Sequence, residues 1–266
     1  MDNRRVLPPT KKKIARSFGL KATRYEEHAF IQTMLLKRLL AMIADNGTHE
    51  GIWADIGCGS GVLSRLVRER RMESMTLIGM DLACESVRCF NEGAGKGSRG
   101  IVGDIDAPPF KPDSLSGMVL ASVLQWLAQP EAVVTKAAET LRIGGICAFS
   151  IFVNDSFFEL FETRRAQHLA IPVQCPGAGQ VKILFSSGQF KLVRYELLRQ
   201  TMYFPDARSL LKNISSTGAG ATPGKRLMRG EVDRFCACYE KKFHTDKGIP
   251  LTWQAAIGIA EKRTRA

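Results

Sequence analysis

The sequence has no apolar run of the roughly 18 residues that a membrane-crossing helix needs. Its first residues also lack the apolar core of a secretion signal. Both absences point away from the membrane and, most simply, to the cytoplasm. Histidine is scarce, with four in 266 residues. None lies at ligand spacing from Cys236-x-Cys238, the only close cysteine pair, so no metal site is expected. No His–acid pair for nucleophilic catalysis stands out either, and His28, His49, His168 and His244 read as surface or packing residues. The seven cysteines are odd in number and scattered, which suits free thiols in a reducing compartment better than a disulfide framework. No internal repeat or low-complexity segment is present.

Acidic residues are in the minority, 26 against 38 Lys and Arg, for a net charge of +12. Such an excess favours acidic partners: nucleic acid, an anionic membrane or an acidic protein. Eight of the basic residues, against one acid, fall within residues 1–24. Residues 1–13 read as a flexible basic arm, because Pro8-Pro9 blocks a helix there.

What the chain does contain is organised around Ala54-Asp55-Ile56-Gly57-Cys58-Gly59-Ser60-Gly61-Val62-Leu63. Ile52-Trp53-Ala54 suits a buried strand, and Val62 to Val67 has helical spacing with Ser60 placed as its N-cap. The three glycines between them let the backbone turn sharply and bring its N–H groups against a ligand. The helix that follows adds a positive dipole end. Val62 stands where the third glycine of the dinucleotide fingerprint G-x-G-x-x-G belongs, so that fingerprint is incomplete. A second apolar stretch ends in Asp81 and a third is followed by Asp104. An acid closing the second strand of a doubly wound sheet can accept two ribose hydroxyls. The plain alternative is that all three acids are turn residues.

The length suits one α/β domain over residues 14–266. Cap helices are expected within 14–46, ahead of the first strand. Strands are expected near 52–56, 76–80, 99–103, 117–121, 146–152, 190–203 and 251–260. Helices fall near 61–70, 84–91 and 131–141, with Gly144-Gly145 ending the last before strand five. After Val153 the strand–helix alternation breaks, and residues 155–187 and 206–244 read as insertions that cover the substrate.

The spacing Gly57-x-Gly59-x-Gly61, with Asp55 two residues ahead, resembles motif I of the class I S-adenosylmethionine-dependent methyltransferases. Four further stretches resemble one family within that class, the malonyl-acyl-carrier-protein O-methyltransferase of biotin synthesis. They are Phe18-x-x-x-Ala22-x-x-Tyr25-Glu26-x-x-Ala29-x-x-Gln32, Ser122-Val123-Leu124-Gln125-Trp126-Leu127, Leu210 to Ala219, and Pro250-Leu251-Thr252-Trp253. The resemblance spans roughly residues 15–262. It implies a seven-stranded, Rossmann-like doubly wound sheet with a helical cap. It also implies S-adenosylmethionine held by Asp55, Gly57, Cys58, Gly59, Gly61, Asp81, Leu82, Asp104, Ile105 and Ser122. Asp104 would accept from the adenine amino group. Tyr25, Gln125, Trp126 and Lys212 would line the methyl-transfer site, although each suits packing or solvent as well. The implied substrate is the free carboxylate of a malonyl group on acyl carrier protein. That carrier is acidic, which gives the charge a reason and makes Arg164, Arg165, Arg226 or Arg229 docking cations. Lys212 departs from the family's Arg, and a lysine supplies charge without a bidentate fork. Two alternatives stay open. One is methylation of RNA or another small molecule, against which no stacking aromatics interleave the basic residues. The other is a non-methylating assembly factor or hydroxylase on the same scaffold.

Overall fold

The computed structural model describes residues 11–20, 28–47, 49–169, 175–216 and 227–263. Two helices come first, α1 (Lys11–Gly19) and α2 (Phe30–Asp45). The alternating core follows: β1 (Gly51–Ile56), α3 (Val62–Glu69), β2 (Met75–Asp81), α4 (Cys84–Gly93), β3 (Arg99–Val102), β4 (Leu115–Ala121), α5 (Pro130–Thr140) and β5 (Leu141–Phe152). Next come α6 (Phe158–Ala166), α7 (Ala178–Ser186), β6 (Phe190–Phe204), α8 (Ala207–Ser216), α9 (Arg229–Phe243) and β7 (Ile249–Lys262).

The seven strands form one sheet in the order β3-β2-β1-β4-β5-β7-β6. The first five run parallel, and β7 lies antiparallel between β5 and β6. A parallel sheet with helices on both faces must bury both sides of its central strands, which then read as unbroken apolar runs. β1 does so. Trp53 and Ala54 are both fully buried, Trp53 in the layer shared with α2 and α3, Ala54 in the layer shared with α5 and α7. Gly117 pairs with Trp53 across β1 and β4, and a Cβ there would lie 2.2 Å from the indole. The indole fills the space that a side chain at residue 117 would need.

Helix α2 buries Ile31, Leu35, Leu39, Leu40, Met42 and Ile43, the spacing of a broad apolar face. Helices α6, α8 and α9 join the same side of the sheet. Two buried polar contacts fasten them. Glu159 on α6 accepts from the Thr252 N–H (2.9 Å) and the Thr252 hydroxyl (2.5 Å) on β7. The Tyr239 hydroxyl on α9 donates to the Pro250 carbonyl (2.7 Å), and burial pushes its pKa up. Pro250-Leu251-Thr252-Trp253 thus anchors the insertion helices to the sheet.

Three local expectations give way. Helix α1 begins at Lys11, so residues 11–13 are helical where a flexible arm was expected. Gly144-Gly145 does not end a helix: α5 stops at Thr140 and both glycines lie inside β5. They occupy the irregular stretch between the Leu115–Leu141 and Gly117–Ile146 pairings, where Gly144 has φ +74. The cap of α3 is Gly61, in the left-handed region, not Ser60. The Ser60 carbonyl instead accepts from Arg65 Nη1 (2.8 Å).

Candidate functional site

In a doubly wound sheet the crevice opens at the carboxyl ends of the strands where their order reverses, here between β1 and β4. A cavity of about 490 Å³ occupies that place, within the size range of small-molecule sites. Of the residues singled out from sequence, Asp55, Gly57, Cys58, Gly59, Asp81, Leu82, Asp104, Ile105, Ser122 and Trp126 line it. Gly61, Gln125 and Lys212 do not. Tyr25 lies outside the described residues, as does Arg226.

The loop after β1 turns through three left-handed glycines, Gly57, Gly59 and Gly61. At Gly57 a Cβ would also meet Val123 Cγ2 at 2.6 Å, so the turn tolerates no side chain there. Four of the loop's N–H groups, however, already have partners within the protein. Those of Gly57 and Cys58 donate to the Met80 carbonyl (2.7 and 3.2 Å), and that of Gly59 to Asp81 Oδ2 (3.1 Å). The Gly61 N–H donates to the Cys58 carbonyl (2.9 Å). The amides that would cradle a phosphate are spent on tying the loop to β2 and to itself. Gly61 contributes by packing, since a Cβ there would lie 3.2 Å from the Phe90 backbone.

The lining is largely apolar, and among its charged groups acids outnumber cations. Asp55, Asp81, Asp104 and Asp106 line the cavity, against the cations Lys11 and Lys136. Asp55 is 4% exposed, and burial first, then the charge of Asp81, pushes its carboxyl up to about 7. Burial also raises Asp81, opposed by the N–H groups of Ala83 (2.9 Å to Oδ1) and Gly59. These two backbone bonds aim the Asp81 carboxylate and leave each oxygen a lone pair for a hydroxyl. At Asp104 burial works upward, but the Lys11 ammonium and the Asp106 N–H outweigh it and hold the group below the usual carboxylate range. Lys11 Nζ donates to Asp104 Oδ2 at 2.5 Å and also to Asp106. Burial, followed by Asp55 and Asp81, raises the Cys58 thiol far above its usual range, which makes it a packing group and not a nucleophile.

The far wall comes from the segment after β4. Ser122 sits in the left-handed region at φ +57 and donates its N–H to the Ser150 carbonyl (2.9 Å). Gln125 acts from behind the wall, its amide donating to the Ser122 carbonyl (2.9 Å). Trp126 faces the cavity and meets the Phe18 ring edge-on, centroids 5.5 Å apart. Lys212 stands exposed on α8 and is not among the residues that line the cavity. Arg165 is exposed and pairs with Glu162 (2.8 Å), whereas Arg164 is partly buried. Sequence reading missed Lys11 and Lys136, which carry no local signature. Gln32 and Thr33 of α2 complete the mouth, and Gln32 does belong to the first resembling stretch.

An acid-rich cavity behind glycine turns suits a cationic ligand that also carries a ribose. S-adenosylmethionine is a ligand of that kind, with an ammonium, a sulfonium and a ribose. A family model described as a methyltransferase domain matches residues 54–149. Across nearly its whole length the chain is similar to proteins named malonyl-acyl-carrier-protein O-methyltransferase. That of Geobacter sulfurreducens is 24% identical over 265 residues, covering 95% of this chain and 99% of the relative. That of Haemophilus influenzae is 26% identical, covering 94% of each. Among solved structures, a candidate methyltransferase from Bacillus halodurans superposes with a TM-score of 0.61 at 12% identity, covering 85% of this chain and 99% of that one. A SAM-dependent methyltransferase from Thermotoga maritima gives 0.54 at 15% identity, covering 94% and 100%. These structures share the fold.

Among the described residues no helix is long and apolar enough to cross a membrane, and no group of three or more His, Cys, Asp and Glu is placed to hold a metal ion.

Proposed function

We propose that this chain transfers a methyl group from S-adenosylmethionine to the free carboxylate of a malonyl group carried as a thioester on acyl carrier protein, in the cytoplasm. The observation that carries the reading is the likeness to malonyl-acyl-carrier-protein O-methyltransferases end to end, insertions included. The acid-lined cavity supports the donor half.

The donor supplies an electrophilic methyl on a sulfonium. Asp55 pairs with its cationic methionine end, Asp81 accepts from the ribose hydroxyls, and Asp104 accepts from the adenine amino group. Ile105, which is buried, covers the ring. Ser122 and Trp126 bound the side from which an acceptor reaches the methyl, and Gln125 holds Ser122 in place. A malonyl carboxylate is already ionised at neutral pH, since ordinary carboxyl pKa values lie near 4. The reaction therefore needs no general base, only alignment and exclusion of water. The net charge of +12 gives an acidic carrier an attractive field to enter.

The test is mass spectrometry of malonyl-acyl carrier protein after incubation with the protein and S-adenosylmethionine. A gain of one methylene mass on the malonyl form, absent on the acetyl form, is the expected result. No gain in a protein that demonstrably binds the donor would remove this substrate and turn the search to RNA and to other carboxylates.

A further inference from the structure

Helix α1 does not merely precede the domain. Lys11, Ile14, Ala15 and Phe18 all line the cavity, and their spacing of three and four residues puts them on one face of the helix. Yet α1, which meets α4 at Gly19, buries little of itself. Of its nine residues only Gly19 is buried, so little apolar area fastens it. Two contacts stand out at its ends. At the start, Lys11 donates to Asp104 (2.5 Å) and Asp106, from a side chain 42% exposed. Near the finish, the Phe18 ring meets Trp126. Asp104 is at the same time a cavity wall residue, and its second oxygen is held by the Asp106 N–H (3.0 Å). One ammonium thus joins the lid to an acid that faces the ligand.

We propose that α1 is a lid over the bound donor and that Lys11 is its latch, a positioning residue that sets how long donor and product stay bound. A helix with so little buried area opens when a contact at its end is lost. The latch is an exposed ion pair, so its strength depends on salt. Between about 0.1 M and about 1 M salt the screening length shortens from about 10 to about 3 Å. Closure by Lys11 also orients the Asp104 carboxylate without using up its lone pairs, so the latch and an adenine amino group can be held together. The basic start of the chain thereby acquires a task in ligand retention, separate from any attraction for an acidic partner. The retention half rests on the reading of the cavity as the donor site.

The experiment uses the full chain as wild type, Lys11→Ala and Lys11→Arg. Hydrogen exchange of the α1 amides in the free protein reads the latch without any ligand. Stopped-flow tryptophan fluorescence reads release of S-adenosylhomocysteine, with Trp126 as the reporter because Trp53 and Trp253 are buried. Lys11→Ala is expected to speed α1 exchange and to raise the release rate about five-fold, as suits two exposed ion contacts. Lys11→Arg, which keeps the charge, should stay within about two-fold of wild type. High salt should speed release from wild type more than from Lys11→Ala, which has already lost the latch. Equal release rates and equal salt dependence in wild type and Lys11→Ala would overturn the proposal. If wild type fails to bind S-adenosylhomocysteine, the donor reading fails instead. The exchange measurement then decides the latch alone: faster α1 exchange in Lys11→Ala supports it, and unchanged exchange refutes it.

Discussion

Asp55 offers the sharpest test of the site's electrostatics. With no ligand cation beside it, its carboxyl is pushed from 3.8 to about 7. A gap of about three pH units is worth roughly 4 kcal/mol, at 1.36 kcal/mol per unit. The sign follows from proton counting. The unfolded chain releases this proton near pH 4, whereas the folded protein keeps it to about pH 7. Between those values the folded state binds more protons, so stability falls as pH rises and levels off above about 7. Asp55→Asn keeps the shape and removes the charge. The variant should match wild type near pH 4 and exceed it by up to roughly 4 kcal/mol near pH 8. In the proposed donor site the S-adenosylhomocysteine ammonium would offset the ionised Asp55, so ligand should stabilise wild type strongly at pH 8 and the variant little. Urea unfolding of both proteins at about pH 5 and about pH 8, with and without ligand, reads all of this. Two results would refute the reasoning: a stability difference between the proteins that does not change with pH, or equal stabilisation of both by the ligand.

Further outcomes follow from the same geometry. Asp81→Ala removes the acceptor aimed by Gly59 and Ala83, and should weaken donor binding by about a hundredfold, or roughly 2.7 kcal/mol, as calorimetry would show. Unchanged affinity would take the ribose away from Asp81. Tyr239→Phe leaves the buried Pro250 carbonyl without its donor and should cost about 1–3 kcal/mol in urea unfolding, with donor affinity unaltered. A loss of donor affinity there would mean that the insertion helices reach the cavity. Gly117→Ala drives a methyl into the Trp53 ring and should destabilise by about 3 kcal/mol; a neutral result would show that the indole has room to move.

The alternation of elements was legible because it is written locally. Apolar runs of strand length, helical spacing after the glycine loop, and acids closing β2 and following β3 each need only neighbouring residues to declare themselves. The glycine loop, Asp55, Asp81 and Asp104 were found for that reason, and the structure brings Gly57, Gly59 and the three acids to one cavity. What each group does there depended on partners from distant segments. Ser60 reads as a cap from its type, but the cap falls at Gly61, whose left-handed backbone sits against Phe90 with little room for a side chain. The loop amides read as an anion cradle, but β2 presents the Met80 carbonyl and the Asp81 carboxylate first. Gln125 belongs to a motif, yet its amide is turned to the Ser122 carbonyl and not to the cavity. Lys11 looks like one more cation in a basic arm until folding brings it to Asp104, 93 residues further along. Local spacing determines which elements form and which residues can carry chemistry. Hydrogen bonds and charge pairs are claimed by whichever group the folded chain places nearest, and only the tertiary structure decides that.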